Sequence, residues 1–387
     1  MLDPSCKIEE FLKKTLDPPV PETIKNAIAV LLDIGAFSLD EQLTEFGEKL
    51  GSLPVHPLTS KMLFFAILLN CLDPALTLAC AANYRDPFTL PMLPNEKKRA
   101  AAAKAELASL YGGHSDQLAI IAAFDCWRSA RERGQESRFC SEYFVSSSTM
   151  FMLSHMRKQL QNELIRGGFI PDDVSMCSMN ARDPGIIRAV LVAGLYPMVG
   201  RLHPPQRSGK RFIVETASSN KVFLHPHSII SKLSFKRSEE CPLLVYDEVT
   251  RGDSGLSIRN CTVISPLPLL LLATEIVVAP GKDDNYDMDD DSGSDADGDE
   301  GEMESLHKTT KRGERIMSSA DNAVTVVLDG WLSFESTALE VAQMYCLRER
   351  LSAAILFKVK YLPLFIVSLA PYNYFPVRKK VLQYHLL

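Results

Sequence analysis

Apolar residues recur at helical spacing through the first half of the chain and alternate with polar ones through much of the second. Ile24, Ala27, Ile28, Leu31 and Leu32 share one face at i, i+3, i+4, i+7 and i+8, with Pro21 suited to a first helical turn and Gly35 to a stop. Residues 43–54 alternate and turn, which predicts a short hairpin or wing ended by Pro54 and Pro57. From Lys61 to Gly168 the pattern is helical throughout. Asp73-Pro74 divides two short apolar helices, with Asp73 as N-cap and Pro74 as the first helical residue. An Ala-rich helix from Glu96 stops at Gly112-Gly113, and Ser115 caps the next, whose apolar face carries Ile120, Phe124 and a core Trp127. A last helix carries Leu153, Met156, Leu160 and Leu164 before Gly167-Gly168. These segments predict a helical bundle.

Beyond Ile186 a short apolar helix leads to Gly194-Leu195-Tyr196-Pro197, and β-type runs follow at 211–216, 221–224, 243–249 and 256–263. Gly252-Asp253-Ser254-Gly255 supplies a hairpin turn. Short strands packed this densely predict a small barrel or sandwich, an OB-fold foremost. A further strand is expected at 323–328 and a helix at 336–357. The fold class is multidomain α+β.

The net charge of −6 conceals an asymmetry, because residues 283–304 hold 12 acidic side chains and no Lys or Arg. Without that block the remainder carries about +6, a mildly basic body joined to an acidic, disordered linker. The linker acts either as a solubilising tether or as a competitor with nucleic acid for the basic surface. No basic n-region with an apolar run opens the chain, and no apolar run approaches the ~20 residues of a membrane span. A soluble, intracellular protein without a membrane partner is expected. Nine cysteines are scattered with no Cys-x-x-Cys, which argues against a zinc site and against a disulfide framework.

Catalytic signatures are missing. There is no Gly-x4-Gly-Lys-Ser/Thr phosphate loop, no Gly-x-Gly-x-x-Gly, no His-Glu-x-x-His and no Gly-x-Ser-x-Gly. His225-x-His227 is the one close His pair, and without a third ligand nearby it reads as a surface or RNA-facing pair rather than a metal site.

Several stretches resemble the C-terminal accessory region of DEAH/DExH-box RNA helicases. They are Leu43-Thr44-Glu45-Phe46-Gly47, Leu53-Pro54-Val55-His56-Pro57, Cys71-Leu72-Asp73-Pro74, Arg85-Asp86-Pro87-Phe88, Ser115-Asp116-Gln117-Leu118-Ala119, Gly194-Leu195-Tyr196-Pro197 and Asn260-Cys261-Thr262-Val263-Ile264. Ala338-Leu339-Glu340-Val341-Ala342-Gln343-Met344-Tyr345 points within that family to the plant nuclear DEIH-box helicases. The resemblance implies a winged helix over 1–60, an all-α ratchet bundle (HA2) over 61–180 and a β-barrel OB-fold over 181–280. An acidic linker over 281–320, a strand-helix extension over 321–360 and a divergent tail over 361–387 complete the division. It further implies a nuclear protein that binds single-stranded or structured RNA and packs on two RecA-like motor domains, where ATP and Mg would be held. This sequence lacks the motor motifs, so it reads as a truncated gene model or short isoform with no cofactor and no catalytic residue of its own. The alternative is a stand-alone, non-catalytic RNA- or partner-binding module.

An RNA channel requires cations for phosphates and planar groups for stacking. In the barrel region the candidates are Arg201, Lys210, Arg211, His225, His227, Lys232, Lys236, Arg237, Arg251 and Arg259, with Tyr196 or Phe235 for stacking. In the bundle they are Lys97, Lys98, Arg99 and Lys104, with Asp116 either a helix cap or an RNA-facing group.

Overall fold

Thr44 decides how the first unit folds. The computed structural model describes residues 7–203, 212–217, 222–232, 241–252, 255–272, 276–280 and 320–361. Within them α1 (Ile8–Leu12) and α2 (Pro21–Asp33) come first, with Pro21 in the first turn of α2 as expected. The stretch read as a wing is instead a helix, α3 (Glu45–Gly51). Thr44 caps it, since its hydroxyl accepts from the Gly47 amide at 2.9 Å and donates to the Gly35 carbonyl at 2.7 Å. Glu45 and Glu48 then sit in the first turn, where the helix dipole favours them. Leu43 keeps only an isolated bridge to Phe37, and no hairpin forms at 43–54. Gly47 is required there, because a Cβ would collide with the Ala36 carbonyl oxygen.

The bundle follows as α4 (Pro57–Leu68), α5 (Leu72–Ala82), α6 (Pro94–Ser109), α7 (Asp116–Glu132), α8 (Glu136–Tyr143) and α9 (Ser147–Arg166). Gly113, Gly134 and Gly168 all take positive φ at the predicted helix stops. One boundary differs: α5 begins at Leu72 with Cys71 as N-cap, so Asp73 lies inside the first turn. Pro74 is tolerated because the first helical N–H groups have no intrahelical acceptor. Asp73 serves tertiary structure instead, its carboxylate and carbonyl both accepting from the guanidinium of Arg157. Arg157 is buried and also lies 4.7 Å over the Phe124 ring. Trp127 is in the core as predicted, at 1 % exposure, with its Nε1 donating to Glu136 at 3.0 Å.

Helix α10 (Pro184–Leu195) packs on α4, so closely that a Cβ on Gly194 would collide with Met62. It feeds β1 (Val199–His203), β2 (Ile213–Thr216), β3 (Val222–Leu224), β4 (Leu243–Val245), β5 (Glu248–Gly252), β6 (Gly255–Arg259) and β7 (Thr262–Ile264). The expected runs 243–249 and 256–263 are thus each split in two. Yet one register runs through both halves: Leu243 faces Ile264, Val245 faces Thr262, and Glu248 faces Arg259. They are one bent hairpin closed at Gly252 and Gly255. The bend lets β4 bond to β1 while β6 bonds in parallel to β3, so pairing runs in a circuit through β1, β2, β3 and the hairpin. That circuit is the strand order of an OB-fold. Leu202, Val214, Val222, Leu244 and Ile258 fill its interior.

After α11 (Pro266–Leu272), β8 (Ile276–Pro280) leaves this sheet and pairs with β9 (Ala323–Leu328), which pairs in turn with β10 (Leu332–Thr337). Asp329 and Gly330, both at positive φ, turn the last hairpin. The helix expected from Ser336 therefore begins later, as α12 (Ala338–Tyr361), because 332–337 is taken by the strand. Val324, Val326, Leu332 and Val341 join the core of the bundle. The acidic linker and the divergent tail lie outside the described residues but for Ala320 and Tyr361.

Candidate nucleic-acid interface

Two of the motif stretches hold each other. Ser115-Asp116-Gln117, at the start of α7, is laced to Asn260-Cys261-Thr262, at the bend between β6 and β7. The Asp116 amide donates to the Cys261 carbonyl at 2.8 Å and the Val263 amide to the His114 carbonyl at 3.0 Å, a backbone ladder joining bundle to barrel. Ser115 both caps α7 through the Leu118 amide and contacts the Thr262 hydroxyl. Gln117 donates to the Asn260 carbonyl and accepts from Thr262.

Asp116 is the centre of this seam. At 1 % exposure its carboxylate accepts from Lys104 Nζ at 2.8 Å, Ser228 Oγ at 2.6 Å, the Ile229 amide at 3.0 Å and the Cys261 amide at 3.1 Å. It is not the expected cap, a role Ser115 fills, and its burial behind these four donors turns its carboxylate inward rather than toward RNA. Lys104 is corrected with it. Burial disfavours its ammonium, but the Asp116 and Asp86 carboxylates outweigh that and hold its pKa above the ordinary lysine value. Tyr196 is likewise an interior side chain, 5 % exposed, and offers no stacking face.

Near the seam lie other cations whose fields reach one another. Lys97 on α6 is exposed, as are His227 and Arg259, with His225 half-buried between them. Arg259 Nη2 lies 3.2 Å from His225 Nε2, and since a guanidinium can only donate, the imidazole accepts there. The two imidazole rings are 5.2 Å apart. Burial, then Arg259 and His227, lower the His225 pKa; burial, then Lys97, Lys104 and Arg259, lower that of His227. Both rings are therefore neutral near pH ~7. The arrangement is a cationic shelf with two rings able to gain a proton when an anion approaches.

The other candidates do not converge here. Lys98 and Arg99 are exposed on α6, Arg99 lying 5.7 Å over the Phe144 ring, and Arg251 is exposed on β5 near the hairpin tip. Arg201 turns away, donating to the Ser333 carbonyl of β10 at 3.4 Å. Lys210, Arg211, Phe235, Lys236 and Arg237 lie outside the described residues, as does the side chain of Lys232. Sequence reasoning missed Ser228, whose hydroxyl is the buried partner of Asp116. The sequence signal for it was the Asp116 motif itself, too short a polar residue pattern to name its partner more than a hundred positions away.

Residues 56–151 match the model of the helicase-associated domain (HA2), ratchet-like, and residues 187–276 that of the oligonucleotide/oligosaccharide-binding (OB)-fold. The chain is 57 % identical over 374 residues to the DExH-box ATP-dependent RNA helicase DExH6 of Arabidopsis thaliana, covering 93 % of this chain and 29 % of that protein. It is 51 % identical to DExH2 of the same plant, over 93 % of this chain and 23 % of the relative. Against the ATP-dependent DNA/RNA helicase DHX36 of Homo sapiens the identity is 34 %, over 71 % of this chain and 27 % of the relative. The chain thus spans under a third of each of these proteins.

Proposed function

Because the chain belongs with the DExH-box RNA helicases, over their ratchet-like and OB-fold accessory region, we propose that it binds single-stranded RNA across the seam between bundle and barrel and so supports 3′-to-5′ unwinding. The observation that carries this reading is that Lys97 of the bundle lies within electrostatic reach of His227 of the barrel, which stands beside His225 and Arg259. Phosphates of one strand meet cations from two units whose separation is fixed by the Asp116 network. Fixed spacing matters physically, since the two units that carry the cations need not be ordered against each other when the strand arrives. The paired imidazoles add planar faces and take up protons as phosphates approach. ATP and Mg are assigned to motor domains, because no phosphate loop occurs in this sequence to hold them.

Crosslinking the full chain to single-stranded RNA carrying photoreactive uridines, with peptide mass spectrometry, tests the placement. Adducts on peptides containing residue 97, 225–227 or 259 are expected. Adducts confined to other faces would overturn it.

A further inference from the structure

On another edge of the barrel three side chains form a relay that takes no part in the seam. β1 is flanked by β2 on one side and β4 on the other. Its register sets Arg201 opposite both Glu215 and Leu243. His203, two residues further along on the same face, is then diagonal to Glu215 and level with Cys241, just ahead of β4. The side chains meet accordingly: His203 Nε2 lies 2.9 Å from Glu215 Oε2, and Nδ1 lies 3.4 Å from Cys241 Sγ.

The contacts fix the protons. An ionised Glu215 can only accept, so the imidazole proton sits on Nε2 and Nδ1 is left as the acceptor facing the thiol. The two partners occupy opposite ring nitrogens, which excludes one metal ion shared by all three. Nucleophile, base and orienting carboxylate is the order in which thiol and hydroxyl nucleophiles are activated. Among the described residues access is open: the His203 and Glu215 side chains are 38 % and 47 % exposed, and Cys241 is half-buried. The buried thiols are protected. Burial pushes Cys71 up to about 12 and Cys80 up to about 11, and it raises Cys261 well above its ordinary value.

We propose that Cys241 is a base-assisted reactive thiol, a site of covalent modification by small electrophiles and by peroxides. In alkylation by a haloacetamide the S–C bond forms as the carbon–halogen bond breaks. Halide leaves with the electron pair, and the thiol proton passes to His203 Nδ1. With a hydroperoxide the S–O bond forms as the O–O bond breaks. Sulfur is oxidised by two electrons to a sulfenic acid, the peroxide is reduced, and alcohol or water departs with the proton that His203 returns.

The test is limited alkylation of the full chain with iodoacetamide, each cysteine followed by peptide mass spectrometry. Cys346, exposed on α12, is the internal reference. Cys241 is expected to label about tenfold faster than Cys346. His203→Gln should bring it to the reference rate and Glu215→Gln part of the way, with labelling of Cys346 unchanged. Equal rates for the two cysteines, or a Cys241 rate unmoved by either variant, would overturn the proposal. Should His203→Gln fail to fold, the half-exposed Glu215→Gln decides alone. Trapping with dimedone after peroxide should mark Cys241 ahead of Cys346, and its failure would remove the peroxide arm.

Discussion

Replacing Asp116 with Asn changes almost no volume and removes the acceptor on which the seam converges. Four donors aim at that carboxylate, two on each oxygen: Lys104 and the Ile229 amide on Oδ1, Ser228 and the Cys261 amide on Oδ2. An Asn can keep one oxygen, so its NH2 must face one pair. If it faces Ser228 and Cys261, the hydroxyl can rotate to accept but the Cys261 amide is orphaned, at about 1–3 kcal/mol. If it faces Lys104 and Ile229, both lose their acceptor. In either case the Lys104 ammonium, 14 % exposed, loses its hydrogen-bonded counter-charge and keeps only the field of Asp86, and breaking a buried pair costs about 3–5 kcal/mol. The two penalties overlap, so the expected destabilisation of Asp116→Asn is about 3–5 kcal/mol. At roughly 1–2 °C per kcal/mol for a chain of this size, that is a fall in Tm of roughly 3–10 °C by calorimetry on the full chain. Lys104→Met should cost less, because Asp116 keeps three donors. A loss under ~1 kcal/mol for Asp116→Asn would refute the claim that this network joins bundle to barrel.

Acidification separates binding from stability. With the His225 and His227 pKa values depressed, mainly by burial, the unfolded chain takes up protons first, so stability falls as the pH drops through ~6.5. RNA phosphates favour the same two protons, so affinity in fluorescence anisotropy should rise over that interval, and a flat profile would contradict the shelf. Thr44→Ala removes the cap of α3 and should cost about 1 kcal/mol in chemical denaturation, whereas an unchanged midpoint would contradict the capping role of Thr44. Gly194→Ala drives a methyl into Met62 and should cost about 1–3 kcal/mol in chemical denaturation, and an unchanged midpoint would contradict the close packing of α10 on α4.

Periodicity made the helices legible because they carry their punctuation in sequence: Pro21, Ser115 and the glycines at 113, 134 and 168 act within a few residues of where they stand. At 43–54 the same logic failed, since Thr44 caps α3 partly through the carbonyl of Gly35, a contact the alternating pattern does not encode. The split strands were invisible for a similar reason: a bend at Tyr246-Asp247 against Asn260-Cys261 comes from closing the barrel, not from local propensity. Candidate cations were legible as residue types and not as places. Lys97 and His227 stand 130 positions apart and act on each other only because the seam brings α6 against the barrel. Asp116 misled because a carboxylate beside a capping Ser looks solvent-facing until its four donors are counted.

The salt dependence of RNA binding tests the central claim most directly. Each phosphate neutralised contributes ~0.7 to the slope of log K against log salt for a single strand. Near neutral pH the shelf offers Lys97 and Arg259 as full charges, so the double variant Lys97→Gln, Arg259→Gln should flatten the slope by about 1.4 and weaken affinity at every salt concentration. Lys98→Gln, Arg251→Gln, a control of equal charge away from the seam, should change the slope by less. A seam variant that binds with the wild-type slope would show that the strand does not cross the seam.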